Sequence, residues 1–260
     1  VWQADPPPVQ PARPLTLSWD NGQGVRFIQV VEIDDNFMMT VTQRVENNST
    51  QAISTHPYGR IARTHTPNTL GFYILHEGPL AVFNETLKEV DYDDLQEGPA
   101  DATKSTGGWI GITDKYWLAA LIPDQKQPYT GTFRYSKPNK QDTYQADFMT
   151  QAPQLIAPGA TAQTVSHVFV GAKEVTLLDR YEEQLGIARF DLAVDFGWFY
   201  FLTKPLFFVL DYFFKMLGNF GLAILLLTVC VKAVFFPLAN KSYKSMSKMK
   251  ALQPEMTKLR

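Results

Sequence analysis

The chain has 260 residues, of which 19% are charged and 45% hydrophobic, and its formal net charge at pH 7 is −2. The basic residues cluster only near the carboxyl end, beside a long apolar stretch, so we predict no nucleic-acid partner. The single cysteine, Cys230, excludes an intrachain disulfide, so packing must hold the fold together.

The amino-terminal part of the chain has the pattern of a β domain. Residues 1–15 are rich in proline, which predicts a linker or a disordered segment. From 16 to 172 the hydrophobic period is two, as in FMMTVTQRV (37–45), and turn clusters such as DNG (20–22) separate the alternating stretches. Short strands between turns predict an antiparallel β-sandwich over 16–172.

A helix follows this domain. In EVTLLDRYEEQLG (174–186), the apolar residues fall on one helical stripe, and Gly186 is suited to end the helix. We predict an amphipathic linker helix within 173–189 that packs on the sandwich.

Residues 190–217 are predicted to form an interfacial amphipathic helix. Lys204, Asp211 and Lys215 fall on one stripe, and the rest of this stretch is dense in aromatic residues, which favour the lipid headgroup boundary. The alternative is a first membrane span, which would need a return through Gly218-Asn219 alone. We therefore place the helix, including Trp198 and Pro205, in the membrane plane.

Residues 219–239 are predicted to be a transmembrane helix with one internal cation. NFGLAILLLTVCVKAVFFPL (219–238) is long enough for the hydrocarbon core, which is about 30 Å thick. Lys232 lies inside it, and Thr228 shares its face because positions i and i+4 stack. A charge there is costly, so Lys232 either faces a polar cavity or extends its ammonium group to the interface.

The final segment, 240–260, carries an excess of lysine and arginine over acids, with Glu255 as its one acid. Basic flanks stay in the cytoplasm, so we predict residues 1–218 on the opposite side of the membrane. Met249, Leu252, Met256 and Leu259 are spaced three, four and three residues apart, which predicts the start of a coiled-coil hairpin. Its second strand would follow Arg260.

Taken together, these segments resemble the YidC/Oxa family of bacterial membrane protein insertases. The resemblance is carried by GGWIGITDKYWLAALIP (107–123), FDLAVDFGWFYFLTKPLF (190–207), VKAVFFPL (231–238) and KSYKSMSKMKALQPEM (241–256). It implies a periplasmic β-supersandwich, similar in fold to aldose mutarotases, followed by an α-helical membrane segment. The chain would then be a fragment, with the start of the periplasmic domain and an anchor before Val1 and further core helices after Arg260.

The resemblance also implies a function. A hydrophilic groove in the inner membrane would receive nascent membrane proteins, alone or with the Sec translocon and its accessory subunits, and the ribosome is a further candidate partner. Lys232 matches the family's groove cation, with Thr228 beside it. The interfacial helix and the hairpin residues Met246, Met249 and Met256 would receive or gate the substrate.

We predict no catalytic residue, no metal and no cofactor. The chain contains no glycine-rich loop that ends in Lys-Ser or Lys-Thr, the signature of a phosphate-binding loop. Its histidines, at positions 56, 65, 76 and 167, are scattered, and a fold alone implies no activity. The alternative function is a membrane-anchored domain that binds a sugar or peptide in a cleft lined by Trp109, Tyr116 and Trp117, although packing is the favoured interpretation of those aromatic residues.

Overall fold

The computed structural model describes residues 1–5, 11, 13–69, 75–98, 100–197 and 199–258. It divides into two compact units, Val1–Asp195 and Phe196–Arg260. The strands that it describes are β1 (Gln3–Asp5), β2 (Leu15–Asp20), β3 (Val25–Ile33), β4 (Met38–Asn47), β5 (Ile53–Thr55), β6 (Tyr58–Thr64), β7 (Gly78–Phe83), β8 (Thr86–Glu89), β9 (Asp101–Thr106), β10 (Gly108–Thr113), β11 (Trp117–Ile122), β12 (Pro128–Ser136), β13 (Thr143–Thr150), β14 (Gln154–Ile156) and β15 (Thr161–Ala172). The helices are α1 (Tyr92–Glu97), α2 (Val175–Leu185), α3 (Tyr200–Leu217) and α4 (Phe220–Lys258), with short 3₁₀ turns at Pro138–Lys140 and Phe190–Ala193.

The first unit is built on a large antiparallel sheet. Within the described residues it has nine strands in the order β1-β2-β3-β4-β15-β11-β10-β7-β8. A smaller sheet, β6-β13-β12-β9, packs against one face of it, and β14 pairs with β5 in a separate two-stranded sheet. Every described pair is antiparallel, which confirms the predicted sandwich.

The core between the two main sheets is aromatic. The smaller sheet contributes Tyr129, Phe133, Tyr144 and Phe148, all of which are buried. They meet aliphatic residues of the large sheet such as Ile110, and the two layers exclude water from both sets. We refer to this side of the large sheet as its inner face. Burial of this apolar surface is the main favourable contribution to the stability of the domain.

A second core covers the opposite face of the large sheet. Trp109 and Phe169 on that face meet Leu178 and Tyr181 of α2, and all four side chains are buried. The hydroxyl of Tyr181 also donates a hydrogen bond to Asp34 Oδ2 at 2.5 Å. Residues 174–186, predicted as an amphipathic helix, thus contain α2, and the left-handed Gly186 (φ 65°) ends it.

The prediction of one helix over 190–217 is wrong at its start. The 3₁₀ turn Phe190–Ala193 belongs to the second core of the β domain, where Phe190 is fully buried against Trp109 and Phe169. The backbone N–H of Asp191 donates to Glu182 Oε2 at 2.9 Å, which fixes the turn to α2. The helix itself begins only at Tyr200, and Phe190 is instead buried in the core of the β domain.

The amino terminus also differs from the prediction of a linker. Gln3–Asp5 forms the edge strand β1, paired with Ser18–Thr16 of β2. The pairing brings Trp2 next to Trp19, with ring centroids 6.3 Å apart, and Trp19 stacks on Phe27 at 5.3 Å. Cross-strand aromatic contacts of this kind stabilise a short edge strand that local composition does not predict.

The second unit is a helical hairpin of α3 and α4. Gly218 adopts the left-handed conformation (φ 65°), and its N–H donates to Phe214 O, which ends α3. The carboxamide oxygen of Asn219 then accepts from the N–H of Leu222 at 3.1 Å and caps α4. Ala223 is fully buried in the hairpin, where its small side chain allows close helix contact.

Candidate functional site

The first candidate site is the polar face of α4. Thr228 and Lys232 lie one turn apart, and the Thr228 hydroxyl donates to Ile224 O at 2.8 Å. The hydroxyl is therefore satisfied within its own helix, as expected for threonine in an apolar environment. Lys232 is exposed, and no described residue forms an ion pair or hydrogen bond with it.

The helix around Lys232 is otherwise apolar. Phe220–Ser247 is long and apolar enough to cross a membrane by length and composition. Within it, the other charged residues are Lys241 and Lys244, both near its carboxyl end. Large side chains such as Val229 and Phe236 are more than half exposed, so the helix needs cover from lipid or other protein segments.

Helix α3 presents charge and aromatic surface together. Lys215 pairs with Asp211 at 2.6 Å, one turn apart, and the Lys204 ammonium lies 5.4 Å from the centroid of the Tyr200 ring. Pro205 is inside the helix, in its second turn, and no residue of α3 is buried. The aromatic side chains that remain exposed are Phe201, Phe207, Phe208, Tyr212 and Phe214.

The predicted hairpin residues share a helix with Lys232. Met246 and Met249 are exposed on α4, which runs without interruption to Lys258. At 1.5 Å per residue they lie about 21 and 25 Å from Lys232 along the axis. Trp198 and the side chain of Met256 lie outside what the structure describes, so their predicted roles stay predictions.

The β domain contains a groove that sequence reasoning missed. A cavity of about 230 Å³ is lined on one side by inner-face residues of β3, β4 and β15 and on the other by residues 55–58 and Gln154. Its lining combines aromatic side chains (Trp2, Phe27) with carboxamides (Gln29, Gln43). The signal in the sequence was Gln43, which interrupts the apolar alternation of β4.

The structure does not bring Trp109, Tyr116 and Trp117 together in one cleft. Trp109 is fully buried in the second core, and its Nε1–H donates to Arg189 O at 3.2 Å. Tyr116 and Trp117 are 65% and 61% exposed. Trp117 shares its face of the sheet with Leu121 of the inner core, so it lies on the opposite side from Trp109.

A second polar site surrounds Lys173. A cavity of about 320 Å³ is lined by Lys115, Tyr116, Lys173 and Asp195, among others. Burial lowers the pKa of Lys173, while the carboxylates of Asp195 and Asp114 oppose that shift. The two opposing effects indicate a half-buried charge network at the end of the domain.

One group of carboxylates could hold a cation. Among the described residues, Asp179, Glu182 and Asp191 bring ligand oxygens within 4.8 Å of one another. Glu182 already accepts the Asp191 N–H, and Arg189 lies 3.4 Å from Asp191 Oδ1. Through these contacts, the carboxylates of Glu182 and Asp191 hold the 3₁₀ turn Phe190–Ala193 in place.

These features define a class of protein, in which an antiparallel β domain is joined to an amphipathic helix and a helix able to span a membrane. Two family models cover the chain: that of the YidC periplasmic domain matches residues 1–209, and that of the 60Kd inner membrane protein matches residues 212–260. The chain belongs to the YidC family.

Individual relatives agree with this assignment. The chain is 48% identical to the membrane protein insertase YidC of Methylorubrum extorquens and 42% identical to that of Rickettsia bellii. Both alignments cover 100% of this chain but only 44% and 46% of the relative, so the chain spans less than half the length of these proteins.

Solved structures resemble the β domain more distantly. A galactose mutarotase related enzyme from Lactobacillus acidophilus aligns with a TM-score of 0.47 and 11% identity, over 65% of this chain and 70% of that protein. A galactose mutarotase-like protein from Lactobacillus casei aligns with a TM-score of 0.42 and 9% identity, over 65% of this chain and 72% of that protein. Similarities of this size carry no argument about activity.

Proposed function

We propose that this chain forms part of a membrane protein insertase, which inserts and folds inner-membrane proteins through a hydrophilic groove. The observation that carries the proposal is Lys232, an exposed and unpaired cation among the described residues of an otherwise apolar helix. A charge in such a position is costly unless it faces water or a polar partner, and intramembrane charges therefore mark functional paths.

The proposed mechanism is electrostatic and requires no bond to be made or broken. A hydrophilic segment that crosses hydrocarbon loses the water around its backbone and its charges. A wet groove beside α4 would shorten the dry path, and Lys232 would attract acidic residues of the incoming segment. Thr228, on the same face, would add a polar contact one turn away. The chain would act without a catalytic residue.

The remaining segments have roles in the same proposal. The β domain would lie in the periplasm and the carboxyl end of α4 in the cytoplasm, because Lys241 and Lys244 follow the span. Helix α3, with Trp198 before it, would lie at the membrane interface. Met246, Met249 and Met256 would begin a cytoplasmic hairpin that receives nascent membrane proteins. The Sec translocon, with its accessory subunits, and the ribosome are proposed partners.

Substitution of Lys232 in the full-length protein tests the proposal. Two opposite charges about 4 Å apart attract by about 1 kcal/mol in water and about 4 kcal/mol near protein. Lys232→Ala should therefore lower the insertion of a substrate with an acidic translocated tail by about tenfold or more. Lys232→Arg should retain activity, and Lys232→Glu should be worse than alanine because it repels the acidic tail.

The matched control is Lys244→Ala, which removes the same charge from the flank of the same helix. The measurement is insertion into reconstituted vesicles at equal amounts of each variant, with acidic-tailed and neutral-tailed substrates compared. Equal activity of Lys232→Ala and the parent protein on the acidic-tailed substrate would disprove the groove role. In that case Lys232 would only extend its ammonium group to the membrane interface and would have no role in a groove.

A further inference from the structure

We propose that the cavity around Lys173 binds the headgroup of a zwitterionic phospholipid, so that this end of the β domain contacts the membrane surface. The site is separate from Lys232 and from the groove beside β3 and β4. The inference rests on one part of the proposed function, the interfacial position of α3. It is carried by the environment of one ammonium group, by the cavity that this group lines and by the place where the chain leaves the domain.

The backbone holds Lys173 beside the turn between β10 and β11. Lys173 directly follows β15, and its N–H donates to Tyr116 O at 2.9 Å. The N–H of Asp114 donates to Trp117 O at 2.9 Å and closes the turn. Strands β15 and β11 are paired inside the large sheet, so the sheet itself sets the position of Lys173.

The ammonium group of Lys173 lacks a close partner. Its side chain is half-buried, yet no residue in the described part of the chain forms a hydrogen bond or an ion pair with it. Burial lowers the pKa of this group, because its surroundings disfavour the charge. An anionic ligand would relieve this cost, since hydrogen bonds between charged groups are roughly twice as strong as neutral ones.

The cavity provides room and a second cation. Its volume of about 320 Å³ lies within the range of natural ligand pockets, about 300–1,000 Å³. Lys115 lines it together with Lys173, and the Lys115 ammonium lies 5.1 Å from the centroid of the Tyr116 ring. Two lysines in one cavity suit a phosphate group, which accepts several hydrogen bonds. Leu75 and Val194 add apolar surface that would contact the glycerol part of a lipid.

The surrounding charges favour a zwitterion over a simple anion. Four carboxylates act electrostatically on Lys173: Asp195, Asp114, Glu77 and Glu89. They repel a free phosphate or an anionic headgroup and attract an ammonium group. A phosphate that carries its own ammonium group satisfies both sets of charges. Phosphoethanolamine, the headgroup of phosphatidylethanolamine, has this chemistry and is the occupant that we assign.

The chain leaves the β domain at this cavity. Asp195, which lines it, is the last residue of the first unit, and α3 begins at Tyr200. Five residues extend over at most about 18 Å, a limit that covalent geometry sets for any arrangement of the two units. With α3 in the membrane plane, phospholipid headgroups are therefore available to the cavity. Tyr116, which is exposed, also suits this boundary, where tyrosine is enriched in membrane proteins.

The first test maps lipid contact in the full-length protein, in which every segment of the natural chain that could fill the cavity is present. Tyr116→p-benzoylphenylalanine introduces a photoreactive ring at the cavity. The protein is reconstituted in vesicles of phosphatidylethanolamine and phosphatidylglycerol in equal parts, irradiated and weighed by mass spectrometry. The matched control places the same group at Lys126, which is exposed in the turn beyond the other end of β11, about 20 Å away along the strand.

The adducts decide between the possible occupants. Position 116 should form phospholipid adducts and position 126 should form none. Phosphatidylethanolamine adducts should exceed phosphatidylglycerol adducts by about tenfold, as one extra pairing of charges predicts. Absence of lipid adducts at position 116 would overturn the proposal, as it would if a segment of the chain filled the cavity. Equal or greater labelling by phosphatidylglycerol, or suppression of labelling by inorganic phosphate in the buffer, would also overturn it.

Substitution of the two lysines gives a second test. Lys173→Met, in the background that carries the photoreactive residue at position 116, should lower phosphatidylethanolamine labelling by about tenfold, and Lys126→Met should leave it unchanged. Lys173→Met should also preserve the Tm, because it removes a half-buried charge and no close contact. Should that variant fail to fold, Lys115→Met tests the same phosphate and should lower labelling by about threefold or more. Full labelling in a folded variant of either lysine would refute the site.

The labelling experiment contains no insertion substrate. A negative result would therefore leave the role proposed for Lys232 standing. Conversely, equal insertion by Lys232→Ala and the parent protein would leave the lipid site unaffected.

Discussion

Replacement of Phe190 by alanine should destabilise the β domain strongly, although the residue lies at the start of a stretch that resembles a membrane helix. Its side chain is fully buried, and its ring centroid lies 5.6 Å from Trp109 and 5.8 Å from Phe169, both in edge-to-face contact. Truncation of such a phenylalanine typically costs about 3–5 kcal/mol. For a domain of this size, that corresponds to a fall in Tm of roughly 6–20 °C.

The measurement is thermal unfolding of the 260-residue chain in micelles, followed by near-ultraviolet circular dichroism, which reports packed aromatic side chains. The control is Phe199→Ala, which removes the same atoms from a residue that is 64% exposed and outside the β unit. Phe190→Leu should fall between the two. A loss of less than about 1 kcal/mol for Phe190→Ala, or a loss equal to that of Phe199→Ala, would refute the assignment of the 3₁₀ turn to the domain core.

Two further predictions concern the interface helix and pH. Cysteines placed at Lys204, Asp211 and Lys215 should react with a membrane-impermeant maleimide in bilayers, because the charged stripe of α3 faces water; protection of all three would contradict the interfacial placement. Burial lowers the pKa of His167 below its ordinary value of 6.5, so the unfolded state binds more protons in acid. The free energy of unfolding of the domain should therefore decline as the pH falls below 6.5, and His167 should contribute at most about 1.4 kcal/mol per pH unit to this decline. His167→Gln should remove this contribution, which melting curves recorded at several pH values would measure.

The groove on the inner face illustrates a limit of pattern analysis. In β4, the apolar residues Met39, Val41 and Val45 alternate with more polar ones, as expected for a strand with one buried face. In the structure these three are half-buried, and Met38, on the other face, is the buried apolar residue of the strand. Buried clusters lie on both faces of the large sheet. Alternation in the sequence therefore locates a strand but does not identify which of its two faces is buried.

The sequence alone determined the period-two β domain, the amphipathic helix after it and the apolar helix with Lys232, because each depends on a local repeat of side-chain polarity. Tertiary structure decided the rest. The strand at Gln3–Asp5 and the burial of Phe190 depend on contacts between residues far apart in the chain. Such contacts leave no periodic signal, since the free energy gained by pairing and burial is set by the partner and not by the segment itself.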